Sequence, residues 1–299
     1  MNTKMKNKDN LSLDVTIEKV DKAKGVFVII GGSGKIDKEG NHRMFKMNIY
    51  KDISNLLNSL GYTTIRYSKR GTGSSEGNHN MTGLSDLLSD LHEIVEYTRS
   101  EYKKEKLYLL GHSEGAMLAT LYTKENCVDG MVLVSGAGVG LKDALQIQNQ
   151  YLADEIKNLK GFKGKLLRLL LNEKKIQKQQ LKFFNKVKGT HKDMIRVQLV
   201  PIAAKWMREH FKLESKDYIE LIGKTKIPTL IIQGDKDAHT SLDFINRIEM
   251  LKNNKITISI LNNVDHILRD FEGDLTILDI KKQYKKEVKK AISSSFEIA

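Results

Sequence analysis

One cysteine, two prolines and no long apolar run distinguish this 299-residue sequence before anything it contains in quantity. Cys127 has no partner in the chain, so a disulfide scaffold is excluded. With so little proline, and no Ser/Gly-rich stretch, no linker separates independent domains. Nothing approaches the roughly 18 consecutive apolar residues of a membrane span. The basic start MNTKMKNKDN is followed by LSLDVTIEKV, which alternates and carries acids. A signal peptide needs a continuous apolar stretch there, so the expected compartment is the cytoplasm. Aromatic residues make up 7%, and no nucleic-acid-reading module is recognisable, so no nucleic-acid partner is expected. What is present is a globular share of hydrophobic residues, 40%, which argues against intrinsic disorder. Fifty Lys and Arg stand against 37 Asp and Glu, a net charge of +13. That surplus fits nucleic acid, an anionic lipid surface or a solvated lysine exterior equally well until it is located.

Short β-rich runs alternate with helical patterns. Residues 13–20 (LDVTIEKV) alternate like a half-exposed strand, and 25–30 (GVFVII) read as a buried one. The latter breaks into Gly31-Gly32-Ser33-Gly34. Ile53, Leu56, Leu57 and Leu60 have helical spacing, and Gly61 suits a helix C-cap. A strand at 63–67 leads into a glycine-rich loop, Arg70 to Gly77. Leu84, Leu87, Leu88, Leu91, Ile94 and Val95 mark the next helix. Strands follow at 107–110, 130–134, 229–232 and 256–261, with a helix near 242–251 and an amphipathic helix over about 277–292. This alternation predicts a mostly parallel α/β sheet covered on both faces. Residues 142–226 differ: they show no convincing strand, are dense in Lys, Gln and Leu, and read as helical, as over 164–172 and 176–187. The expected organisation is a core over 1–141 and 227–299, interrupted by a helical cap at 142–226.

The chemistry centres on Gly111-His112-Ser113-Glu114-Gly115, a G-x-S-x-G motif. A strand ends just before it and a helix begins just after it. That is the context of a sharp elbow that lifts a serine hydroxyl above a sheet edge. A serine hydroxyl needs a base to take its proton, and the base needs an acid to orient it. The expected chain order is Ser, acid, His. Two acids, Asp235 and Asp237, follow the strand at 229–232, where open α/β sheets carry their sites. Asp237 is preferred, because Asp235 sits within the turn and suits local side-chain-to-backbone bonding. Of the eight histidines, His266 alone has both the right order and a position just past a strand end. His112 lies inside the elbow and is expected to point where a residue flanking the nucleophile would point. The oxyanion donors are assigned to the backbone N–H of Glu114, after the nucleophile, and of Ser33 in the early glycine loop. No metal and no organic cofactor are implied.

These residues together resemble the α/β-hydrolase-fold serine hydrolases, and among them the bacterial esterases of the EstD type. The resemblance runs over about 25–270. It rests on Gly32-Ser33-Gly34 with Asp37, Tyr67 to Ser74, Gly111 to Gly115, Trp206 to Glu209, Gln233 to Asp237 and Asp265-His266. It implies Ser113, Asp237 and His266 as triad and Ser33 and Glu114 as oxyanion hole. Two positions depart from the family pattern: Gly31 stands where a His is usual, and Ala116 where a second glycine is common. The implied activity is carboxylic-ester hydrolysis of a small acyl substrate. The same triad also serves thioesterases, amidases or peptidases and lysophospholipases, and a fold of this kind can bind a ligand without catalysis. Arg70 is read as an anion contact or a structural ion pair near Glu76 or the sheet edge. Trp206 is read as an acyl-pocket wall or a packing residue, and Cys127 as a core or near-core thiol.

The charge can then be placed. Residues 142–226 hold 20 Lys and Arg and nine acids, a surplus of +11. The rest of the chain carries +2 and is close to neutral. A basic cap of this kind presents a solvated lysine face, attracts anionic substrates, or makes peripheral contact with anionic lipid.

Overall fold

The computed structural model describes residues 1–161, 165 and 173–271. The chain opens with β1 (Asn2–Lys6), β2 (Ser12–Glu18), β3 (Val26–Ile30), α1 (Ile49–Ser59) and β4 (Thr63–Tyr67). It continues through α2 (Leu84–Glu101), β5 (Leu107–His112), α3 (Glu114–Tyr122) and β6 (Gly130–Val134). Then come α4 (Leu141–Asn158), α5 (Glu173–Lys188), β7 (Met194–Val197), β8 (Val200–Ala203), α6 (Ala204–His210) and α7 (Ser215–Gly223). The last described elements are β9 (Thr229–Gly234), α8 (Leu242–Glu249) and β10 (Ile256–Leu261).

Eight strands form one sheet in the order β1-β2-β4-β3-β5-β6-β9-β10. From β4 to β10 the neighbours are parallel, while β2 joins both β1 and β4 antiparallel. Strands β3, β4, β6 and β9 are buried along their whole length, and β3 (VFVII) and β6 (GMVLV) accordingly read as apolar runs and not as alternation. Their two faces still divide with period two. Val26, Val28 and Ile30 enter the core shared with Leu87, Leu91 and Ile94 of α2, whereas Phe27 and Ile29 pack with Ile53 and Leu57 of α1. Gly61 ends α1 at φ +92°, where a left-handed residue is needed, and its N–H returns to Asn58 O at 3.0 Å.

The basic start is a strand, β1, added to the sheet edge. Two expectations are corrected. The interval between β6 and β9 is not all helical: β7 and β8 form a hairpin with Val197 opposite Val200. Its turn is Gln198-Leu199, both at positive φ (49° and 67°). Neither residue is one that normally announces such a turn, which is why the pattern was unreadable. Cys127 is exposed, because it precedes β6 instead of belonging to it. The expected helices at 164–172 and 277–292 lie, Lys165 apart, outside the described residues. A small separate core of Leu141, Val187, Met207 and Phe211 holds α4, α5 and α6 together. Among the described residues no helix is long and apolar enough to cross a membrane.

Candidate active site

The C-terminal ends of β5, β9 and β10 converge on one cavity. Strand β5 stops at His112, and Ser113 adopts φ 55°, ψ −117° before α3 begins at Glu114. A side chain held there costs about 1–3 kcal/mol and persists only where the surroundings over-determine it. The surroundings are backbone on both sides: a Cβ on Gly111 would lie 2.1 Å from Gly115 O, and one on Gly115 would lie 2.0 Å from Ile30 O. Ser113 N–H donates to Val134 O at 2.8 Å, pinning the elbow to β6.

Beyond β9, Asp237 accepts four hydrogen bonds. His266 Nδ1 donates to Oδ2 at 2.8 Å and Gln233 Nε2 at 2.9 Å, while Oδ1 takes the backbone N–H groups of His239 (2.7 Å) and Thr240 (3.2 Å). Burial alone would raise this carboxyl, but the His266 charge and these donors hold it far below the ordinary carboxylate range. Burial disfavours the His266 imidazolium, yet Asp237 outweighs it and raises that pKa. The His239 ring packs against His266 at a tilt of 37°, with centroids 4.4 Å apart. Burial and the His266 charge push His239 down to about 4, so it is neutral near pH 7.

Ser113 and His266 line the same space, a cavity of about 250 Å3 shared with Gly32, Ser33, Tyr50 and His112. A smaller recess of about 50 Å3 continues from Ser113 towards Glu114, Met117, Trp206 and His210. The backbone N–H groups of Ser33 and Glu114 have no hydrogen-bond partner among the described residues. His112, beside the nucleophile, is buried. Its Nε2 donates to the His266 carbonyl at 2.9 Å, and its Nδ1 faces Tyr50 Oη at 3.3 Å. Burial, then the His266 charge, lowers His112 to about 3, so this ring is a neutral strut.

A family model described as serine aminopeptidase, S33, matches residues 42–269. The chain belongs to that family. Its parallel sheet, elbow and strand-end residues are those of an α/β hydrolase. Esterase EstD of Thermotoga maritima is 24% identical over 269 residues, 88% of this chain and 60% of that protein. The chain therefore spans well under two thirds of that relative's length. Among solved structures, Est1E from Butyrivibrio proteoclasticus with bound ferulic acid superposes with a TM-score of 0.57 at 15% identity, over 95% of this chain and 96% of that one. The Pyrococcus furiosus esterase Pf2001 also gives 0.57, at 12% identity, over 100% and 92%. At these identities the two structures show the shared fold.

In this α/β hydrolase the other expected residues separate. Asp235 does not bond within its own turn as expected: its Oδ1 accepts Asn263 N–H, in the turn after β10, at 2.7 Å. Trp206 lines the smaller recess, with its indole N–H on Glu114 Oε1. Arg70 does not line either cavity, and its partner is not Glu76. It grips Asp90 with Nε at 2.7 Å and Nη2 at 2.5 Å, and Asp9 with Nη1 at 2.9 Å. The neighbouring Lys69 reaches the site instead, donating to Gly32 O at 3.0 Å and Glu114 Oε2 at 2.5 Å. Lys69, Tyr50, Gln233 and His239 were not singled out by sequence. Lys69 and Gln233 left a signal, since both lie within motifs that carry the family resemblance. Among the described residues, no group of three or more His, Cys, Asp or Glu is placed to hold a metal ion.

Proposed function

We propose that this chain is a serine carboxylic-ester hydrolase acting through Ser113, His266 and Asp237. The observation that carries the reading is the Asp237–His266 bond, with His266 lining the same cavity as the elbow serine. Ser113 Oγ attacks the ester carbonyl as His266 Nε2 takes its proton. The oxyanion is received by the N–H groups of Ser33 and Glu114. Collapse of the tetrahedral intermediate expels the alcohol, which receives that proton from His266. Water then attacks the acyl-enzyme, giving its proton to His266, and the carboxylic acid leaves as the proton returns to Ser113. Asp237 fixes Nδ1–H, so the lone pair of Nε2 is free for the serine.

The cavity volume lies at or below the small end of ligand pockets, about 300–1,000 Å3, and suits a short acyl or alcohol group. The family description raises an aminopeptidase reading, which needs a free carboxylate to hold a substrate ammonium. At the cavity Glu114 is held by Lys69 and Trp206, while Asp265 takes the backbone N–H groups of Ile267 and Arg269 on Oδ1 alone. Aminoacyl amides therefore belong in the substrate screen beside the esters. The segment 142–226 acts as a basic cap, and work in the cytoplasm on anionic substrates, or at an anionic lipid surface, fits its charge.

The test is a screen of p-nitrophenyl esters of increasing chain length, acyl thioesters and aminoacyl p-nitroanilides, with Ser113→Ala as blank. Short esters should be hydrolysed, and a fluorophosphonate probe should label Ser113. Full activity in Ser113→Ala, or labelling elsewhere, would overturn the proposal.

A further inference from the structure

The peptide between Gly32 and Ser33 is held from behind by a buried ammonium. Lys69 Nζ donates to the Gly32 carbonyl at 3.0 Å and sits on Glu114 Oε2, with both side chains almost wholly buried (6% and 4% exposed). In a trans peptide the C=O and the following N–H point in opposite directions. A donor that holds Gly32 C=O on the protein side turns Ser33 N–H to the other side, where Ser33 lines the cavity. The preceding peptide plane is fixed as well, since Gly32 N–H donates to Tyr50 Oη at 2.6 Å.

Glu114 completes the circuit. Its backbone N–H is the second oxyanion donor, and its side chain receives Lys69 and the Trp206 indole, with His210 Nε2 3.2 Å from Oε1. Trp206 and His210 belong to α6, in the segment between β6 and β9. A buried ion pair of this kind is poor as a source of stability, because desolvation offsets its attraction and apolar replacements often do as well. Its geometric consequence is specific: one ammonium bridges the loop that carries Ser33 to the residue that follows the nucleophile.

We propose that Lys69 is a positioning residue, which aims the Ser33 N–H into the oxyanion hole by holding the Gly32 carbonyl and registers that loop against Glu114. This rests on the ester-hydrolase reading above.

The experiment begins with the unaltered protein, using fluorophosphonate labelling and hydrolysis of a short p-nitrophenyl ester. Failure there sinks the hydrolase reading and says so before any Lys69 variant is measured. Lys69→Met and the double variant Lys69→Met/Glu114→Gln are then compared. Removing one oxyanion donor outright costs about 10²–10³ in kcat. A donor left in place but unaimed should cost about 10- to 100-fold in kcat, with KM within about threefold. The inhibition constant of a trifluoromethyl ketone, whose adduct needs the hole, should weaken by the same factor as kcat/KM. The double variant separates two roles. If Lys69 only neutralises Glu114, removing both charges restores the wild-type kcat. If it holds Gly32, the double variant stays slow. It also carries the measurement if Lys69→Met fails to fold, because it leaves no unpaired buried charge. A Lys69→Met kcat within about threefold of wild type, or recovery in the double variant, refutes the proposal.

Discussion

Replacing Asp237 by Asn changes one atom and should invert the base. Oδ1 of Asp237 accepts two backbone N–H groups, from His239 and Thr240, and only an oxygen can take that place. The amide of Asn must therefore turn its NH2 to the other side, towards His266 Nδ1 and Gln233 Nε2, now 2.8 and 2.9 Å from Oδ2. A donor facing Nδ1 makes Nδ1 an acceptor and puts the ring proton on Nε2. That nitrogen then cannot take the Ser113 proton. The cost of the wrong tautomer in a Ser-His-Asp site is about 10⁴ in kcat. The assay is kcat on a short p-nitrophenyl ester at constant pH, with Asp235→Asn in parallel. Asp235 accepts a backbone N–H from Asn263, which an amide oxygen accepts equally well, so that variant should stay within about threefold. An Asp237→Asn enzyme within tenfold of wild type, or a greater loss in Asp235→Asn, would refute the tautomer argument.

The His266 pKa is raised above the ordinary 6.5; with the neutral ring as the proposed base, kcat/KM should climb with pH through a value above 6.5. In stability the sign is opposite. A raised folded-state pKa gives stability that is fully present below about 6.5 and is lost as pH rises through the folded value, which urea unfolding at several pH values would detect. Arg70→Met strands the buried Asp90 carboxylate and should cost roughly 3–5 kcal/mol in denaturant unfolding. It should leave the ratio of KM for anionic and neutral esters unchanged, whereas a selective rise for anionic esters would make Arg70 a substrate contact after all. Reversing the exposed Lys178, Lys182 and Lys186 of α5 to Glu should raise KM for anionic esters more than for neutral ones, and the difference should shrink in high salt. Equal effects on both would leave those lysines as solvated surface.

What the sequence disclosed follows from the range of each interaction. Ser113 and its elbow are local: a strand end, two glycines that admit no Cβ and a helix start lie within a few residues. Asp237 and His266 are legible because chain order and strand ends locate them without contacts. The hairpin of β7 and β8 was hidden because its turn uses Gln198 and Leu199 in left-handed conformations. For Arg70 the sequence offered only an anion contact or an ion pair near Glu76 or the sheet edge, while its partners, Asp90 and Asp9, stand 20 and 61 residues away. Lys69 and Tyr50 act on Gly32 from 37 and 18 residues away, and no local pattern announces either contact.

The place of β9 and β10 at one edge of the sheet sets an order of events in synthesis. The proposed nucleophile and oxyanion donors and the six inner and N-terminal strands precede residue 135, while the proposed acid and base follow β9 and β10. A nascent chain that has folded through β6 holds Ser113 in its elbow with no base to activate it. Competence arrives only when β9 docks on β6 and His266 has emerged. Two fragments divided between β6 and β9 would each be inert, and recovered hydrolysis would report their docking.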